Sequence, residues 1–144
     1  MYLIVLFEIW LHKCYHLYEI IGEFKCSKIV FYRDCKGDSE VEAFLDKLAE
    51  QATVSKDARI QLKQVSLCIQ LLSELGTRIG EKITKHIDDG IWELRPGKNR
   101  VLYFYFQDDT FVLLHSFRKK TQKTPKKEID KAKRERADWI ERQE

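Results

Sequence analysis

A chain of 144 residues, 44% of them hydrophobic and 34% charged, is sized for one domain, can bury a core without disulfide or metal staples, and is too apolar for intrinsic disorder. Its net charge of +3 conceals an uneven spread: residues 118–144 hold eleven Lys and Arg against six Asp and Glu, while the other 117 hold fifteen against seventeen. A basic end on a near-neutral body suits a polyanionic partner, although a solvated helix face would carry the same charges.

Residues 1–27 read differently from the rest. Positions 2–11 are apolar except for Glu8, fewer than the roughly 20 apolar residues a bilayer span needs. They lack the basic leader and small-residue cleavage site of a secretion signal. The segment is expected to be an extension, either a covering helix or a tail outside the fold, ahead of a domain at 28–144. The chain is expected to be cytoplasmic, with no membrane partner. His12, Cys14 and His16 lie close together without a fourth ligand, so no metal site and no cofactor are expected. Cys14, Cys26, Cys35 and Cys68 show no CxxC spacing and read as free or buried thiols of a reducing compartment.

The β-branched and aromatic run 28–33 predicts a first strand, broken at 34–37. Ser39 with Glu42 three residues on forms a capping box. Val41, Phe44, Leu45, Leu48 and Ala52 follow at helical spacing, to about Gln51. Ser55 suits the cap of a second helix carrying Ala58, Leu62, Val65, Ile69, Leu72 and Leu75, with Gly76 ending it. Residues 77–90 read as a loop with a short strand near Ile83. Three strands follow at 91–95, 100–107 and 110–117, the middle one apolar on both faces as for a covered central strand. Asp108-Asp109 suits a two-residue hairpin loop. Thr124 as N-cap and Pro125 at the first position then open a last helix with a thin apolar stripe. The expected fold class is α+β, a small, mostly antiparallel sheet with two N-terminal helices packed on it and a C-terminal helix, in one layer pair.

Arg95 ends one strand and Arg100 begins the next, so a tight connection brings both guanidiniums to one end of the sheet. Arginine presents a planar donor fork suited to phosphate; the alternative is that each arginine flanks a strand and pairs with a surface carboxylate. Arg118, Lys119, Lys120, Lys123, Lys126 and Lys127 fall within ten residues that contain no acid. Three of them sit at or beside the first turn of a helix, where the macrodipole disfavours cations and attracts anions. Bound phosphate would offset that cost. Glu93 shares a strand face with Arg95 and is either a general base or its ion-pair partner. His115 offers proton transfer near neutrality or a packed core imidazole.

The segments Ile91-Trp-Glu-Leu-Arg95, Arg100-Val-Leu-Tyr-Phe104, Leu113-Leu-His-Ser-Phe117 and Lys119-Lys-Thr-Gln-Lys-Thr-Pro125 together resemble the HigB branch of the RelE/ParE toxin superfamily, over about 28–144. What the resemblance implies is the RelE-like fold and a ribosome-dependent mRNA endonuclease. In such enzymes the ribose 2′-hydroxyl attacks the adjacent phosphate, leaving a cyclic phosphate and a free 5′-hydroxyl. The implied partners are the ribosome with its mRNA and a helix-turn-helix antitoxin of the HigA kind. Arg100 then matches the strand arginine that stabilises the transition state, Lys119 with Lys120 a cation on the scissile phosphate, and Arg95 a residue of the RNA-facing surface. Ile91 and Glu93 stand where the best-known RelE toxins carry lysines, which leaves the base open among Glu93, His115 and a lysine. A ParE-like gyrase inhibitor on the same fold and a non-catalytic nucleic-acid-binding module are the rival readings.

Overall fold

A computed structural model describes residues 26–144; the first 25, with most of the extension and the trio His12, Cys14 and His16, lie outside the described residues. In chain order the elements are β1 (Lys28–Phe31), α1 (Glu40–Gln51), α2 (Lys56–Leu75), a 3-10 turn (Gly76–Ile79), β2 (Thr84–Asp88), β3 (Ile91–Leu94), β4 (Asn99–Phe106), β5 (Thr110–Arg118) and α3 (Lys126–Glu141). The class is α+β. The sheet order is β1-β5-β4-β3-β2, with β1 parallel to β5 and every other pair antiparallel.

The helix boundaries follow the capping chemistry. Ser39 Oγ accepts the N–H of Glu42, and Ser55 Oγ that of Ala58, each at 3.2 Å. These bonds satisfy donors that a helix start leaves without partners. The reciprocal arm of the capping box is not made, because the Glu42 carboxylate pairs with Arg33 instead. Gly76 ends α2 at φ +63, a conformation glycine adopts without a Cβ clash.

Two cores lie on the two faces of the sheet. Val41, Leu45 and Leu48 of α1 and Val65, Ile69 and Leu72 of α2 pack against Leu94, Val101, Tyr103, Phe111 and Leu113. Ala132 of α3, with Trp139 and Ile140, packs on the opposite side against Ile91, Leu102, Phe104, Val112 and Leu114. Helices therefore cover both faces, giving three layers where a single layer pair was expected. The alternation of β4 dictates this, since successive side chains point to opposite faces and Val101, Leu102 and Tyr103 are all fully buried.

β2 is fuller than the short strand expected near Ile83. Its residues, Thr-Lys-His-Ile-Asp, have little apolar alternation, and pairing with β3 holds them in the sheet. Asp89 and Gly90, at φ +46 and +74, turn the chain between them, as a two-residue hairpin with positive φ at both positions does. The β4–β5 loop holds three residues, 107–109, because Phe106 pairs with Thr110; Asp108 and Asp109 both take positive φ.

Gly97, between β3 and β4, sits at φ +61, and a Cβ there would lie 2.4 Å from Oε1 of Gln64 on α2. Gly97→Ala is expected to cost about 1–3 kcal/mol from left-handed strain and the displaced glutamine, read as a lower urea midpoint.

Tyr32 ties β1 to α3 by donating its hydroxyl to Asp138 at 2.8 Å. Burial first, and then that bond to Asp138, pushes its pKa up from 10.0 to about 12. A tyrosine in the unfolded chain ionises near 10, so the stability this bond contributes is present below that pH and is lost as pH rises through 12. A phenolate absorbance titration should show one late-ionising tyrosine fewer in Tyr32→Phe than in the parent, with Tyr103, pushed up by its burial, still ionising late in both. An unchanged number of late-ionising tyrosines in the variant would refute the assignment.

Cys26, Cys35 and Cys68 are free thiols. Burial raises the Cys68 pKa to about 11, which makes it unreactive. Among the described residues no helix is long and apolar enough to cross a membrane.

Candidate functional site

The turn at 95–98 does bring the two arginines together. Arg95 Nε lies 3.2 Å and Arg100 Nε 3.5 Å from the same oxygen, Oε1 of Glu93, whose side chain is only 3% exposed. Period-two alternation puts Glu93 and Arg95 on one face, and Glu93 pairs across to Leu102, so the cluster lies on the α3 side of the sheet. Arg100 is buried, and its Nη1 donates to the carbonyls of Gly97 at 2.7 Å and Asn99 at 2.8 Å. The guanidinium is thereby held in one orientation, with Nη2 lacking a protein partner among the described residues. Burial draws its pKa below the ordinary value; Glu93 opposes that shift and Arg95 adds to it. Arg95 also donates to the Glu81 carbonyl at 3.2 Å.

The lysine loop folds back over this group. Lys119 N–H donates to the Lys98 carbonyl at 2.8 Å, which pins the start of the loop beside the β3–β4 turn. Thr124 Oγ1 donates to Oε2 of Glu93 at 2.5 Å and pins the end. Thr124 is therefore not the helix cap that its position suggested. Pro125 stands at the N-cap, with no side-chain cap bond, and the threonine hydroxyl serves the buried carboxylate instead. Between the two pins lies a small cleft of about 90 Å³. Its walls include Glu93, Arg95, Arg100, Phe117, Lys119, Lys120, Lys123 and Thr124.

Of the other expected cations, Arg118 turns toward α2, 3.3 Å from Gln61 Oε1. Lys126 and Lys127 are exposed on the first turn of α3, and neither they nor Arg118 line the cleft. Arg118 thus stands on the α2 side of the sheet, away from the arginine cluster. Reasoning from sequence missed Thr124 and Phe117 as cleft residues. Thr124 meets Glu93 across 31 positions, a separation that local pattern does not reveal.

His115 is fully buried and is not among the cleft's lining residues. The register of β4 and β5 slips at Leu114, so that Tyr103 pairs with Leu113 and Leu102 with His115. That bulge turns His115 and Phe117 onto the α3 face, where strict alternation from Phe111 and Leu113 would have sent them to the other side. Its Nε2 lies 2.8 Å from Oε2 of Glu128, and its Nδ1 bonds Oε1 of Glu135. Among the described residues Glu40, His115 and Glu135 are close enough to share a metal ion. However, Lys131 already sits 2.5 Å from the Glu40 carboxylate, and this charge opposes a cation.

A family model described as "Phage derived protein Gp49-like (DUF891)" matches residues 45–137, well over half the chain. The chain belongs to this Gp49-like family. The Gp49-like match runs from within α1 to within α3, so it takes in Glu93, both cleft arginines and the whole lysine loop. No curated protein matches the sequence. Among solved structures, a chain of the "YoeB-YefM complex from Staphylococcus aureus" is similar at 12% identity, over 66% of this Gp49-like chain and 98% of that one, with a TM-score of 0.42. That likeness is too distant to assign chemistry.

Proposed function

We propose that this Gp49-like protein is the toxin of a toxin–antitoxin pair and acts as an endoribonuclease on ribosome-bound mRNA, in the manner of the HigB branch that its motifs resemble. The observation that carries the reading is the convergence of Arg95, Arg100 and three loop lysines on one cleft in which Glu93, the only acidic lining residue among the described residues, stands where a phosphate would. Guanidiniums held by carbonyls before substrate arrives are suited to stabilising charge that grows in a transition state.

A phosphate entering the cleft competes with Glu93 for the two guanidiniums. The displaced carboxylate then takes the proton of the ribose 2′-hydroxyl as O2′ attacks phosphorus. The P–O5′ bond breaks, the leaving oxygen takes a proton from the lysine side (Lys119 or Lys120), and the products are a 2′,3′-cyclic phosphate and a 5′-hydroxyl. Arg100 neutralises the equatorial oxygens through this sequence. Arg118, Lys123, Lys126 and Lys127 hold the flanking backbone by charge alone, so affinity should fall steeply with salt. The neutralising partner would be a helix-turn-helix antitoxin and the working compartment the cytoplasm. Residues 28–144 would form the toxin domain.

Mapping new 5′ ends in translated mRNA after induction tests this reading. Codon-phased cuts bearing 5′-hydroxyls are expected. DNA damage without cuts would replace the reading with gyrase inhibition, and neither effect would leave a nucleic-acid-binding module.

A further inference from the structure

The buried imidazole of His115 meets carboxylates at both ring nitrogens, Glu128 at Nε2 and Glu135 at Nδ1. A neutral imidazole has one N–H and one lone pair. Both bonds together therefore require a doubly protonated ring or a carboxyl that shares its proton. The two acids are seven residues apart on α3, about two turns along one helix face, so a single side chain of β5 grips the helix at two levels.

Apolar packing holds α3 from its middle to its far end, through Ala132, Trp139 and Ile140, and leaves its first turn to polar contacts. Of its sixteen residues only Ala132 and Glu135 are buried. Lys131 with Glu40, Lys133 with Asp88 and Arg136 with Asp89 are ion pairs at the surface, a kind that contributes little in water. Glu128 is the third residue of α3, and His115 stands three before the end of β5. Their bond closes residues 115–128 into a ring that contains Lys119, Lys120, Lys123 and Thr124.

We infer that His115 is a positioning residue: by bonding Glu128 and Glu135 it fixes the start of α3, and through it the lysine loop, over the arginine cleft. The imidazole touches no cleft-lining lysine itself; it sets where the loop's second stem stands. The consequence for catalysis rests on the nuclease reading. Catalytic groups displaced by about an ångström lose on the order of a hundredfold in rate.

Glu128→Ala and Glu128→Gln test the inference. Glu128 is only partly buried, at 18% side-chain exposure, and glutamine keeps an oxygen that accepts the Nε2 proton. In the alanine variant, amide exchange at 119–129 should speed at least tenfold while exchange in β4 stays as in the parent. Cleavage of translated mRNA should fall at least tenfold, with affinity for a 2′-deoxy RNA analogue changed less than threefold. The glutamine variant should restore both exchange and cleavage to within threefold of the parent. Unchanged exchange in the alanine variant overturns the inference, as does a glutamine variant as impaired as the alanine one. The exchange result stands apart from the nuclease reading: if the parent chain cuts no mRNA, that reading fails, and the grip of His115 on the loop is still decided by exchange.

Discussion

Arg100→Lys should leave the chain folded and slow cleavage of translated mRNA by about 10²–10³-fold, the loss typical of removing one preorganised donor from a transition state. Lysine keeps the positive charge beside Glu93. It cannot donate to the carbonyls of Gly97 and Asn99, face Glu93 and still offer a further N–H to phosphate, as the guanidinium fork can. Arg100→Ala is a less clean experiment, because it strips a partner from a carboxylate that is 3% exposed and should also cost about 3 kcal/mol of stability. The measurement is primer extension on mRNA incubated with purified ribosomes and each variant. A lysine variant that cuts within threefold of the parent would show that charge, not donor geometry, is what Arg100 supplies.

Glu93→Gln should tighten binding of a non-cleavable 2′-deoxy RNA about tenfold, equivalent to about 1.4 kcal/mol, while cleavage falls by 10²-fold or more. The two effects have one cause. The carboxylate holds the anion slot between Arg95 and Arg100; a neutral amide of the same shape contests it weakly and cannot accept the 2′-hydroxyl proton. Filter binding at fixed salt and single-turnover cleavage read the two arms separately. Unchanged affinity would mean that phosphate does not displace Glu93, and unchanged cleavage would move the base elsewhere.

Local signals carried most of the fold. Ser39 and Ser55 announce their helices, Gly76 ends one, and the two-sided apolarity of 101–104 reveals a strand buried on both faces. β2 was harder to see, because Thr-Lys-His-Ile-Asp gains its strand character from hydrogen bonds to β3, although Asp89-Gly90 directly after it is a turn signal. The second face of the sheet was legible only in part: α3 has a thin stripe, and much of what holds it is polar. In the candidate site, spacing alone set Arg95 beside Arg100 and Glu93 beside Arg95, because strand alternation and a short turn are local geometry, while the contact of Glu93 with Arg100 depends on the register of β3 against β4. The place of His115 was hidden by a bulge at Leu114, which shifts the face of every later residue in β5. Thr124 was read as a cap for the same reason that most threonines before Pro-Lys-Lys would be, and a long-range partner overrode that preference.

The parallel pairing of β1 with β5 sets Lys28 opposite Thr110, 82 positions downstream, and α3 covers the other face only after β5 has been made. Contacts so distant along the chain form slowly, since a long loop must close before they contribute. On a translating ribosome β1, α1 and α2 must therefore wait, with an apolar face unsatisfied, until β5 has emerged. Incomplete chains would be targets for chaperones and proteases. The lysine loop gains its second stem from α3, so on the proposed function a product truncated before α3 carries no harm: the chain becomes dangerous to its host only once that helix has been made.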